Sequence, residues 1–166
     1  MPLFARGNSH EDLSMAIKSL LFGALSLIIL TGCSDASVIK VVIYSDEGIQ
    51  TVLDQNKLRI IGNTILDFTN NIDDVLQVIL TPSQIDEIIN NEYGIEIQYS
   101  NKQEAYKANN PYSISFSKIY IPLSGQYSKL GIVYFFGNDE GYGSLPPYVT
   151  NKGLNELKHL VEQLKQ

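Results

Sequence analysis

Carboxylates, hydroxyls and a single thiol are the groups in this chain with chemistry to offer. Asp139 and Glu140 lie in the run Gly137, Asn138, Asp139, Glu140, Gly141, Tyr142, Gly143, Ser144, a glycine-flanked acidic loop. Such a loop can present oxygen ligands to calcium, or a carboxylate for acid and base work. Calcium loops place several oxygens at fixed offsets, and the EF-hand spacing is missing here, so the plain reading is a solvated hairpin loop. Asp73 and Asp74 follow Asn70 and Asn71 and suit a helix start, where carboxylates meet the positive end of the dipole. His159 is the one histidine beyond Cys33. On a helix it stands about 200° from Leu157, off the apolar stripe. With this histidine and one cysteine, zinc sites of the His or Cys type are excluded, and Ser-His-Asp and Cys-His nucleophile systems lack their parts. No cofactor is expected.

Tyrosine is the compositional excess that bears on binding: there are 10, with no tryptophan. Tyr106, Tyr112, Tyr142 and Tyr148 fall in or beside polar stretches. Tyrosine joins apolar area to a hydroxyl and is favoured where surfaces meet partners or sugars. Core and sheet tyrosines account for much of the count; the glycines and prolines around Tyr142 and Tyr148 make that loop the expected recognition surface.

The thiol has a different context. Lys18 is followed by an apolar run from Leu20 to Leu30, and Leu30, Thr31, Gly32, Cys33 close it with small residues before the cysteine. A spanning helix needs about 20 apolar residues, whereas a run of about 10 to 14 suits a signal h-region. The ending resembles the lipobox of bacterial lipoproteins. That resemblance covers Leu30 to Cys33 and says nothing of the domain beyond. It implies a signal peptide over residues 1–32, cleavage, and diacylglycerol on Cys33, with further acylation. Burial of acyl chains contributes about 0.8 kcal/mol per CH₂, so two or three chains hold permanently what one holds reversibly. Glu11 and Asp12 put negative charge where an n-region is positive, while Met15, Ala16, Ile17, Lys18 open an ordinary signal, so Met15 is the expected start, with Met1 and a long n-region as the alternative. Residues 33–37 form a short tether reaching no more than about 18 Å. In enteric lipoproteins aspartate directly after the cysteine marks inner-membrane retention; Ser34 holds that place here, so the resemblance implies the outer membrane where the organism has one.

Charge narrows the partners. The chain carries 12 Lys and Arg against 18 Asp and Glu, a net −6. An acidic surface without a basic cluster excludes nucleic acid. The expected partners are the membrane, through lipid on Cys33, and an envelope protein or glycan.

Residues 38–166 are expected to form a single globular domain, stabilised by packing because no disulfide is available. Val38 to Tyr44 reads as a strand, and Asp46, Glu47, Gly48 as a turn. Leu58, Ile61, Ile65, Phe68, Ile72, Val75 and Ile79 recur at three or four residues, which predicts a long amphipathic helix with a break near Asn71. Thr81 and Pro82 read as N-cap and first helical residue, Gln84 sits in capping-box position, and Ile85, Ile88, Ile89 form the face, with Gly94 ending the helix. Ile95, Ile97, Tyr99 alternate with polar residues as a half-buried strand, followed by a polar loop over Asn101 to Pro111. A strand from Tyr112 to Ile121 shifts its apolar set near Lys118 to Ile119 and Ile121, so either a bulge lies there or both faces become buried. After a hairpin turn at Ser124, Gly125, Gln126, Leu130 to Phe136 reads as a central strand. Leu154, Leu157, Leu160, Val161 and Leu164 define the last helix. The expectation is an α+β fold: a mainly antiparallel sheet of about four strands, with helices packed on one face.

Two functions fit these features. One is a noncatalytic envelope binding or inhibitor module using Tyr142, Tyr148, Asp139 and Glu140. The alternative is a carboxylate-dependent glycan hydrolase, which needs a second acid at about 5 to 9.5 Å across a cleft from Asp139 or Glu140.

Overall fold

The computed structural model describes residues 38–70, 72–107, 113–143, 145–151 and 153–166. Residues 1–37, on which the expected signal, lipidated cysteine and tether fall, together with Asn71, residues 108–112, Ser144 and Lys152, lie outside the described residues. Those described fall within one compact unit, Ala36–Gln166.

β1 (Val38–Ser45) turns through Asp46 and Glu47 into β2 (Gly48–Val52). Gly48 takes φ +119° there, a conformation that strains any L side chain. α1 (Gln55–Thr69) begins at Asp54, whose carboxylate accepts the Lys57 backbone N–H at 2.9 Å. Its Leu58, Ile61 and Ile65 are buried. α1 stops at Thr69 with Asn70 as its C-cap, where the break near Asn71 is expected, but the apolar positions beyond the break, Ile72, Val75 and Ile79, do not resume a helix. Ile72 is buried in an isolated parallel bridge to Lys107, Asp74–Val75 forms β3, and Ile79 is 94% exposed. Asp73, expected at a helix start, instead takes hydrogen bonds from Thr150 Oγ1 (3.1 Å) and the Asn151 N–H (2.8 Å).

α2 (Pro82–Asn91) starts as its sequence predicts: Thr81 caps it, Gln84 closes the capping box and Pro82 opens the first turn. β4 (Gly94–Tyr106), β5 (Ser113–Pro122), a 3-10 turn (Tyr127–Leu130), β6 (Ile132–Asn138), β7 (Gly141–Tyr142), β8 (Tyr148–Thr150) and α3 (Leu154–Lys165) follow.

The strands form one sheet in the order β2-β1-β4-β5-β6-β8-β3, with β7 also on β6. All strand pairs are antiparallel. The architecture is α+β, but eight strands among the described residues correct the expected four. The four expected strands are β1, β4, β5 and β6; the added β2, β3, β7 and β8 have two to five residues each. Strands so short carry too little alternation to read, and pairing with neighbours defines them.

The helices also differ from expectation, because they cover both faces. Ile95, Ile97, Ile119, Ile121, Tyr134 and Phe136 pack with Leu58, Ile61 and Ile65 of α1 and Leu157, Val161 and Leu164 of α3. The alternate residues Tyr120, Val133 and Phe135 pack with Ile85 and Ile89 of α2. β6, buried over Ile132–Gly137, is the central strand the sequence predicts.

β4 does not give way to a loop at Asn101 but pairs with β5 as far as Tyr106. Both alternatives at Lys118 are met: Ile119, Tyr120 and Ile121 are buried on both faces, and the pairing is irregular beside them, with the extra residues on the partner strand, where Tyr99 to Lys102 of β4 stand against Ser117 alone. In a flat sheet Ser115 would lie about 20 Å along the strands from the level of Tyr148. Yet Ser115, Lys107 and Tyr148 line one depression, so the outer half of the β4–β5 hairpin is folded across the sheet toward β3 and β8.

Candidate binding site

Asp139 and Glu140 form the tip of the β6–β7 hairpin, where Asn138 pairs with Gly141. The Asn138 side chain accepts the Glu140 N–H at 2.9 Å, and Gly141 takes φ +126°. The same Asp-Glu-Gly sequence turns β1 into β2, with Gly48 in the matching role. Local turn chemistry therefore accounts for this acidic loop. Ser117 Oγ donates to Asp139 Oδ1 at 3.4 Å beside a depression of about 250 Å³ whose walls include Gln98, Lys118 and Asn138. No second carboxylate lines it among the described residues, so the pairing that acid and base hydrolysis of a glycan needs is not assembled at Asp139. Nor does any group of three or more His, Cys, Asp and Glu among the described residues converge as metal ligands would. His159 is exposed on α3.

Tyr142 is aimed inward. Its ring crosses above Gly137, where a Cβ would meet the ring at 2.9 Å and the Gly141 carbonyl at 2.8 Å. The Lys118 ammonium sits over the ring, 4.6 Å from its centroid. The hydroxyl donates to Glu96 Oε2 at 2.8 Å, while Gln98 Nε2 donates to Oε1 at 2.6 Å. Glu96 is 7% exposed, and Tyr142 and Glu96 together span the three strand spacings from β7 to β4. Burial first, and the Glu96 carboxylate second, hold the Tyr142 phenol well above its ordinary pKa. Tyr44 is raised by the same two causes, and Tyr120 by burial and then by Glu92. A buried carboxylate ringed by protonated phenols was not legible in the sequence. The alternation Ile95, Glu96, Ile97, Gln98 reads as core against solvent, and only the covering of that face by α2 and β7 puts Glu96 inside.

Tyr148 lies on the other face, so the two tyrosines expected to share a surface do not meet: Tyr142 packs beside the α2 cluster and Tyr148 beside the α1 and α3 cluster. Tyr148 packs on Phe136 with ring planes inclined at 62° and centroids 5.4 Å apart. Burial raises its phenol pKa. It forms one wall of the junction between the folded-over hairpin and β3, an open depression of about 320 Å³. Val75, Ile114 and Leu145 give this depression an apolar lining, and Ser113, Ser115 and Lys107 give it hydroxyls and a cation. Lys107 Nζ also pairs with Asp74 Oδ1 at 3.2 Å, clasping the hairpin to β3. The Val75 N–H and then Lys107 hold the Asp74 carboxyl below its ordinary pKa. Apolar walls with a few polar groups suit recognition of an apolar or aromatic group that carries a polar end. The serines have no histidine beside them among the lining residues to activate them.

Compared with protein families, characterised proteins and solved structures, the chain matches none. Among the described residues no helix is long and apolar enough to cross a membrane.

Proposed function

We propose that this protein is a lipid-anchored bacterial envelope module that binds a protein or glycan partner without transforming it. Attachment is through acyl chains on Cys33, and the outer membrane is its site where the organism has one. The Leu30, Thr31, Gly32, Cys33 sequence supports the anchor. The observation that carries the binding role is the Tyr148 depression, open, apolar-walled and edged with hydroxyls and one ammonium. An aromatic ring there offers a stacking face to a sugar or an apolar side chain of a protein.

The test uses the full chain, extracted from envelope in mild detergent and immobilised, with bound proteins and glycans eluted and identified. Tyr148→Ala should lose the dominant bound species, whereas Tyr106→Ala, at an exposed tyrosine outside the depression, should retain it. Equal capture by Tyr148→Ala would remove the depression from the reading. Replacing Cys33 by serine should release the chain from the membrane fraction, and persistence there would count against the anchor.

A further inference from the structure

We infer that β2 is a docking edge for a second copy of this chain, the two β2 strands pairing antiparallel about a two-fold axis at Thr51. The inference is independent of the Tyr148 depression and begins with the contrast between the sheet's two ends. At one end β3 has only two residues, one of them the charged Asp74, and the Ile72–Lys107 bridge lies beside it. At the other end β2 offers five residues, Gly48–Val52, with an unbroken register on β1 and no partner on its outer side among the described residues. Exposed edges are ordinarily blunted by lysine, proline, a bulge or extreme shortness. β2 has no lysine, proline or bulge, and Gly48 to Thr51 are exposed.

The side chains select the occupant and the register. Ile49 pairs with Tyr44 and Thr51 with Val42, so Ile49, Thr51 and Leu53 alternate onto one face. Ile49 is 69% exposed and Leu53, one residue past the strand, 75%. With Thr51 on the axis, Ile49 of each copy stands opposite Leu53 of the other, and Thr51 meets Thr51. Both are favourable cross-strand pairings. Moving the axis to Gln50 would set Leu53 against Glu47 and separate the apolar pair. An antiparallel strand pair is self-complementary, which is the requirement of a two-fold interface.

Sedimentation of the full chain in mild detergent over the micromolar range, with cysteine cross-linking, tests this. The expected result is a dimer. Ile49→Lys should weaken it by on the order of tenfold, since each substitution acts twice across the axis. The double change Ile49→Lys with Leu53→Glu sets each new cation opposite a new anion and should restore association. Thr51→Cys should give a disulfide-linked dimer on oxidation, because facing residues of such a pair have Cα atoms about 4.5 to 5.5 Å apart, within disulfide reach. Gln50→Cys should link far less. A wild-type monomer throughout, with no cross-link from Thr51→Cys, would overturn the pairing. So would preferential linking by Gln50→Cys, or a Thr51→Cys adduct with a chain of another mass, which would assign the edge to a foreign strand.

Discussion

Tyr142 and Glu96 show how much can rest on one hydroxyl. A carboxylate at 7% exposure with two donors, Tyr142 and Gln98, is satisfied only while both remain. Removing a partner from a buried polar group leaves the desolvation cost uncompensated, typically about 1 to 3 kcal/mol. Tyr142→Phe keeps the ring over Gly137 and deletes only the donor, so it should lower unfolding stability by that amount in a denaturant titration, without loss of the fold. Tyr148→Phe, whose hydroxyl has no hydrogen bond to another described residue, should change stability far less. The sequence singled out both tyrosines for one surface, and the difference between them is which face of the sheet each side chain takes. Two-residue β7 and three-residue β8 set that orientation, and neither has enough alternation to read.

At the scale of elements, legibility followed the range of the interactions. The start of α2 was readable residue by residue because a capping box closes within four positions: Thr81 N accepts no help from afar, donating to Gln84 Oε1 at 2.8 Å. Thr81→Ala removes the capping oxygen and should cost about 1 kcal/mol, within a range of about 0.5 to 2, measured as a lower unfolding midpoint. The segment after α1 was misread for the complementary reason. Ile72 and Val75 continue the α1 spacing, but they are drawn into contacts with Lys107 and Tyr148, remote in sequence. β4 was underestimated too, since Asn101 to Tyr106 are polar and read as loop. Pairing with β5 and burial of Ala105 hold them in the sheet.

Across the molecule, phenols are the titrating groups most strongly perturbed. Burial is the first cause of a raised pKa at Tyr99, Tyr120, Tyr134 and Tyr142, which line both faces of the sheet. Because the folded values lie above the unfolded value of about 10, each phenol keeps its proton longer in the folded state. Their stabilising effect is then intact below about pH 10 and lost as pH rises beyond it. Ultraviolet titration should show these tyrosinates forming together with alkaline unfolding, while exposed Tyr106 ionises without it. A smooth, fully reversible titration of all 10 tyrosines with the fold intact would contradict this account.

What the sequence by itself determined is what depends on neighbours along the chain: the α2 capping box, the two Asp-Glu-Gly turns, the periodicities of α1, α3 and the four longer strands, and the α+β class they imply. The tertiary structure decided the eight-stranded sheet, the helices on both faces, the burial of Glu96 and the depression at Tyr148. These arise where segments far apart in the chain meet. A two-residue strand or a buried carboxylate is stabilised only by partners that no local pattern contains.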